Sequence, residues 1–371
     1  MRRQRGLVGL TGLAALVGLS MVAKPAVSMV TTEQSASILV FPKVVADGQR
    51  DTVIQITNTS NNMVHAHCFY VNGAPSAPGR GPLCLETDFD IWLTKQQPTF
   101  WTVSKGRSGV YPGGPISPYW PGIAPAVLIP PVAPDFTGEL KCIQVDSSGA
   151  PLSGNALKGE ATIGYLNGGE VSKYNAIGVK GFNTNDQDTV LCLGSSSASS
   201  NSCPSGREYE ACPQGWFLDH PATMSLAAPQ YPGGPVGYTG TNLTIVPCTE
   251  NFETQAPTSV TLQFLVTNEY EQTLSTSTTV TCWASWDLGS SSTDSFLRTF
   301  SLGVVGGTQL QTRLRTANAS RSGVIPVLEE YAGDPGTPTL NAKAARNAHA
   351  TPQDQAGMDI ITFPADQGRV Q

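Results

Sequence analysis

The sequence predicts an all-β protein, a β-sandwich laid out as two sandwich regions with long Pro/Gly-rich loops. Three observations lead there. Runs rich in β-branched and aromatic residues recur with near-period-two alternation. Clusters of Gly, Pro, Asn and Ser punctuate them, and no long amphipathic helix interrupts the pattern.

The first block reads SILVFPKVVADGQRDTVIQITNTSNNMVHAHCFYVNG. ILVF reads as a strand stopped by Pro42, DTVIQIT as a second strand, NTSNN as a turn and MVHAHCFYV as a third strand. The short polar turn predicts that the second and third strands form an antiparallel pair. After GRGPLC, the run ETDFDIWLTKQQPTFWTVS is strand-like. The Pro-rich stretch from Pro112 to Pro134 forbids a helix or a central strand, so it is expected to be an extended excursion or surface loop.

GELKCIQVDSSGAPLSGNALKGEATIGY predicts a hairpin with DSSGAP as its turn. GSSSASSNSCPSG is a low-complexity loop. FLRTFSLGVVGGTQLQTRLRT supplies two further strands. Beyond about residue 326, Ala, Asn, Gly, Pro and Gln predominate. A loosely ordered tail is expected there, with one short helix near NAKAARNAHA.

The early pattern returns in SVTLQFLVTNEYEQTLSTSTTVTCWASW. Thr267-Asn268 echoes Thr57-Asn58, and Cys282-Trp283 echoes Cys68-Phe69. YPGGP also occurs twice, at 111–115 and 231–235, and both copies read as loops. With its TNTSNN turn between strands, the first block resembles the Ig-like domains of exported bacterial envelope proteins. The resemblance covers about 35 residues at each end and implies an Ig-like β-sandwich architecture and nothing about chemistry. The expected organisation is a signal peptide over 1–28, a first Ig-like region over 29–165, a second sandwich region over 166–325 and a tail over 326–371. One large sandwich, with its first and last blocks paired across the core, is the alternative.

Arg2, Arg3 and Arg5 precede an apolar run from Gly6 to Ala23, and Ala26 and Ser28 offer the small residues read by a signal peptidase. Four glycines interrupt the run, which favours a cleaved signal over a membrane anchor. The twin-arginine pattern is incomplete, and no cysteine suits a lipid anchor. Export to the periplasm or cell exterior is expected, with no membrane span remaining after cleavage. The chain carries a net charge of −6, and losing residues 1–28 removes four basic residues and no acids. Such an acidic chain is a poor nucleic-acid partner.

All eight cysteines follow the signal, and the chain has no close C-x-x-C pair. Disulfides are therefore expected over metal ligation. Proximity suggests Cys203–Cys212 and then Cys248–Cys282, with Cys68 and Cys84 as further candidates.

His65 and His67 sit two apart on a strand and so share a face, as metal-binding imidazoles do. The cysteine-bearing face of that strand is the more apolar one. The histidines are therefore expected on a solvated face or under a loop, with no metal bound. Glu86, Asp88 and Asp90 alternate in LETDFDIW, which suits an edge strand whose charges deter pairing. The alternative is a carboxylate pair for glycan hydrolysis beside Trp92 and Trp101. Those tryptophans, with Tyr119 and Trp120, would be its sugar platform.

Motifs for a serine elbow, a zinc protease or a phosphate loop are not found. Asn58, Asn242 and Asn318 head N-x-S/T sequons. The expected function is a non-enzymatic exported cell-envelope binding or structural protein without a cofactor, with an envelope protein or glycan as partner. The alternative is a secreted polysaccharide hydrolase using Asp88 or Asp90.

Overall fold

A computed structural model describes residues 30–107, 128–168, 171–182, 188–194, 202–223, 238–290, 293–317, 322–333, 341–350 and 358–364. Strands dominate it, and the two helices are single turns, so the all-β expectation holds. The first nine strands are β1 (Ile38–Ala46), β2 (Arg50–Asn58), β3 (Val64–Asn72), β4 (Leu85–Leu93), β5 (Pro98–Thr102), β6 (Phe136–Val145), β7 (Leu157–Tyr165), β8 (Val171–Asn175) and β9 (Ile177–Val179). They make one sheet in the order β4-β3-β6-β1-β2-β7-β8, with β5 on β2 and β9 on β1.

β1 and β2 pair only at Ala46 and Asp51, where the hairpin turns. The sheet folds over on itself there, and its two halves enclose a core that includes Phe41, Ile54, Cys68, Tyr70, Trp101 and Leu140. The alternation in β2 and β7 places one side chain in two inside this core.

The second part of the chain supplies β10 (Val190–Gly194), β11 (Gly215–Pro221), β12 (Tyr238–Pro247), β13 (Glu250–Asn251), β14 (Ser259–Asn268), β15 (Thr273–Thr281) and β16 (Ala284–Leu288). After the turns α1 (Ser295–Arg298) and α2 (Leu302–Val305) come β17 (Gln309–Thr316), β18 (Val324–Gly333), β19 (Asn341–Asn347), β20 (His349–Ala350) and β21 (Met358–Thr362). A sheet β15-β14-β17-β11-β20 and a sheet β16-β12-β18-β19 share a core with Leu262, Phe264, Leu314, Leu243 and Ile245. A small third sheet, β10-β21-β13, lies against β3, where Phe252 stacks on Phe69 with ring centroids 3.9 Å apart.

Several local expectations need correction. β1 does not stop at Pro42 but runs through it, with a bulge between Phe41 and Val44 that absorbs the missing N–H donor. β2 and β3 do not pair. NTSNN carries the chain from one half of the folded sheet to the other, and Asn58 Nδ2 holds the crossing by donating to the carbonyls of Asn62, Leu93 and Thr94. For the same reason β6 and β7 are not a hairpin, since β6 pairs with β1 and β3 while β7 pairs with β2 and β8.

The nine-stranded sheet continues to Val179, past the expected boundary at 165. Residues 326–371, expected as a loose tail with a short helix, hold most of β18 and all of β19, β20 and β21. Phe363 and Asp359 are fully buried. Glu329 and Ile361 anchor that segment by burial, a signal composition alone does not carry.

Candidate functional site

β4 is the outer strand of its sheet among the described residues, as its alternating acids suggested. Its neighbour β3 sets His65 opposite Trp92, His67 opposite Asp90 and Phe69 opposite Asp88. His65 stacks on Trp92 at 3.9 Å, its Nε2 lies 2.7 Å from Asp90 Oδ1, and its Nδ1 lies 2.8 Å from the Asp146 carbonyl. His67 Nδ1 lies 2.9 Å from the same Asp90 oxygen. Its Nε2 is 3.2 Å from Asp88 Oδ2, an ion-pair contact too oblique for a well-formed hydrogen bond.

The expectation of a solvated histidine face is overturned. His67 is only 4% exposed and packs edge-on to Phe363 at 5.5 Å. Both faces of β3 are covered, one by the folded sheet and the other by the third sheet. A strand's own alternation cannot reveal a second covering layer.

Burial opposes charge on His67, but its close polar contacts with Asp88 and Asp90 and the charges of those two carboxylates outweigh it and raise its pKa to about 9. The same pairing holds Asp88 below the usual carboxylate range. For Asp90, burial pushes upward, yet His65 and His67 keep it well below that range. Here Asp90 Oδ1 occupies the space between the rings that a metal would need. The grouped ligand atoms among the described residues lie elsewhere, at Cys212, Cys248 and Asp359, and those cysteines are in a disulfide.

The sugar platform is not assembled. Trp101 is 2% exposed on the opposite, inner face and donates a 2.6 Å hydrogen bond to Tyr70 Oη. Tyr119 and Trp120 lie outside the described residues, as do both YPGGP segments and residues 1–28. Glu86, the third acid of β4, is raised to about 8, first by burial and then by the charge of Glu250. It lines a cavity of about 10 Å³, room for one water. Beside it, the fully buried Lys141 pairs with Glu139 at 3.0 Å and with Glu250.

All eight cysteines are in disulfides, but the expected pairings are wrong. The bridges are Cys68–Cys142, Cys84–Cys282, Cys192–Cys203 and Cys212–Cys248. Cys68 and Cys142 face each other directly across β3 and β6. Cys84–Cys282 joins positions 198 residues apart and ties the first sheet to the second part of the chain. Proximity in sequence could not show these pairings, because the partners meet only once the sheets are packed.

A second polar cluster lies between β1 and the β16-β12-β18 sheet. The bulge after Pro42 turns Lys43 out of the ladder, and Tyr174 Oη takes over its backbone, accepting from the Lys43 N–H at 3.1 Å and donating to its carbonyl at 2.6 Å. The side chain reaches Glu329 on β18, and its Nζ is 2.6 Å from Asn242 Oδ1 on β12. Burial lowers the Lys43 pKa despite the Glu329 charge. Burial likewise opposes ionisation of Glu329, but Lys43 outweighs it and brings its pKa to about 2.

The sequence reading missed Lys43 and Glu329, and met Asn242 only as a sequon. The available signal was a lysine inside the apolar run ILVFPKVVA, every residue of which is buried. Asn58 is also fully buried with its amide engaged, and Asn318 lies outside the described residues. Among the described residues, no helix is long and apolar enough to cross a membrane. Comparison with protein-family models and with curated proteins finds no match for this chain.

Proposed function

We propose that this chain is a non-enzymatic exported protein of the cell envelope, with Ig-like sandwich regions, that binds or scaffolds an envelope protein or glycan. The observation that carries the reading is the state of the β4 acids. Asp88 and Asp90 are committed to His67 and held ionised, so neither is a ready proton donor for glycoside cleavage. Glu86 has the raised pKa of an acid catalyst, but a space for one water adjoins it rather than a sugar cleft. Four disulfides suit an oxidising compartment and a body built for persistence.

A groove of about 650 Å³ between β8 and the β19–β20 segment offers a place to bind. Lys173, Asn175, Arg346 and His349 give it polar contacts, while Tyr174 and Trp216 give it an aromatic floor. The test is to pass envelope glycans and envelope proteins over the immobilised mature protein while assaying for released reducing sugar. Retention without turnover, weakened by Asn175→Ala with Arg346→Ala, supports the reading. Sugar release that disappears in Asp88→Asn or Asp90→Asn overturns it in favour of the hydrolase.

A further inference from the structure

We propose that Lys43 and Asn242 condense into an intramolecular isopeptide bond, with Glu329 moving the proton from the attacking amine to the departing amide nitrogen. This goes beyond the binding role and concerns how the chain is held together.

The geometry is that of an amine set against a carboxamide. Lys43 Nζ is 2.6 Å from Asn242 Oδ1, so with a C=O length of about 1.23 Å it lies no more than about 3.8 Å from Cγ. The orientation of the carboxamide is set by its neighbours. Asn242 Nδ2 donates at 2.8 Å to Asp287 Oδ1, which leaves Oδ1 facing Lys43. That oxygen also accepts from Ser285 Oγ at 2.8 Å and Thr244 Oγ1 at 3.2 Å. Two hydroxyls are thus already aimed at the atom on which negative charge develops when Cγ is attacked.

Strand register brings these groups together. Asn242 pairs with Glu329 on one side and with Asp287 on the other, so the three acid and amide side chains form one row across β18, β12 and β16. Thr244 and Ser285 face each other in a neighbouring row. Glu329 contacts Lys43 Nζ, and it is held by Ser172 Oγ at 2.6 Å and Tyr331 Oη at 2.6 Å, with Arg50 at 3.9 Å. The Lys43 and Glu329 side chains are 3% and 1% exposed. Burial favours the neutral amine, the form that attacks, and excludes the water that would compete for Cγ.

The step balances without an oxidant or co-reactant. Glu329 takes one proton from the Lys43 ammonium, and the amine attacks Cγ to form the Nζ–Cγ bond. That proton passes to Nδ2, the Cγ–Nδ2 bond breaks, and ammonia leaves. The second proton shed by Nζ passes through Glu329 to the released ammonia, so that the nitrogen departs as ammonium and Glu329 ends as the carboxylate. The reaction happens once per chain and gives no turnover.

Peptide mapping of the full mature protein, reduced and alkylated, tests the proposal. Trypsin does not cut after an acylated lysine. The expected product is a branched peptide containing Lys43 and Asn242, lighter than its two parts by one ammonia, about 17 Da. Lys43→Arg and Glu329→Gln should each abolish it. If the wild-type digest instead yields chiefly linear peptides cut after Lys43, with Asn242 unmodified, the proposal is wrong. That wild-type result decides the matter even if a variant fails to fold. A branched peptide that survives Glu329→Gln would overturn the role given to Glu329.

Discussion

Trp283 Nε1 donates a 2.9 Å hydrogen bond to the carbonyl oxygen of Pro42, across 241 positions of sequence. The acceptor lies at the β1 bulge, and the donor follows Cys282, the half-cystine joined to Cys84. The indole also fills the space over Gly73, where an added Cβ would collide with its ring. One side chain therefore couples a bulge in the first sheet, a glycine beside β3 and a disulfide from the second part of the chain.

Trp283→Ala should destabilise the protein by about 3–5 kcal/mol, the usual range for removing a buried large aromatic. Trp283→Phe should cost less, since it keeps much of the volume and loses the hydrogen bond. Chemical denaturation of the purified variants measures both. A change below about 0.5 kcal/mol for the Ala variant would mean the contact does not support the fold.

Replacing Cys84 and Cys282 together by Ser removes a bridge that closes 198 residues. Chain-entropy arithmetic gives a loss of up to about 5 kcal/mol. In a Lys43→Arg background, which removes the proposed isopeptide link, the unreduced protein with both cysteines should keep its two parts joined on denaturation after a cut between them, whereas the double variant should release them. Release from the unreduced protein with both cysteines would contradict the bridge.

For the histidine cluster, stability should fall as the solution becomes alkaline. The folded pKa of His67 is about 9, above the unfolded value near 6.5. Its contribution is therefore full below about pH 6.5 and is lost as pH rises through about 9. The gap corresponds to at most about 3 kcal/mol, reduced because Asp88 is more than half exposed to solvent. Asp88 and Asp90 shift the other way, and their contribution is present above about pH 4 and fades in stronger acid. Following the His67 ring protons by NMR should show the imidazolium persisting at pH 8. A midpoint near 6.5 would refute the assignment.

His220 predicts the opposite sign. Its Nδ1–H donates to the Pro221 carbonyl at 3.1 Å and its Nε2 accepts from Thr312 Oγ1 at 2.9 Å, an arrangement for the neutral ring. Burial lowers its pKa to about 4. The unfolded chain binds a proton that the folded chain refuses between about pH 6.5 and 4, so stability drops by about 3 kcal/mol over that interval. His220→Gln should flatten this acid limb in denaturation curves recorded from pH 7 to 4. An unchanged slope would show that another group is responsible.

The sequence alone determined the class of secondary structure, because alternation and turn residues are local properties. β14 buries one residue in two along most of its length, as SVTLQFLVTN implied. The Thr-Asn echo was also legible, but the role of each Asn came only from the structure. Asn58 Oδ1 accepts from the Ser60 N–H at 2.8 Å, and Asn268 Oδ1 accepts from the Tyr270 and Gln272 N–H groups at 2.9 Å. The edge position of β4 among the described residues was legible in its charges, because alternating acids on a strand deter pairing with a further strand.

Tertiary structure decided everything that depends on which layers meet. Both faces of β3 are buried because a third sheet, partly built from β21 near the C-terminus, lies over His67 and Phe69. Cys84 found Cys282 rather than a nearer partner because packing set the distance between them, and sequence separation carries little information about that. Lys43, Asn242 and Glu329 look unrelated along the chain, at positions on three different strands. They converge because a bulge turns one side chain out of its ladder and strand register sets the other two side by side. Local pattern fixes the face a residue takes, but only the packed sheets decide what that face meets.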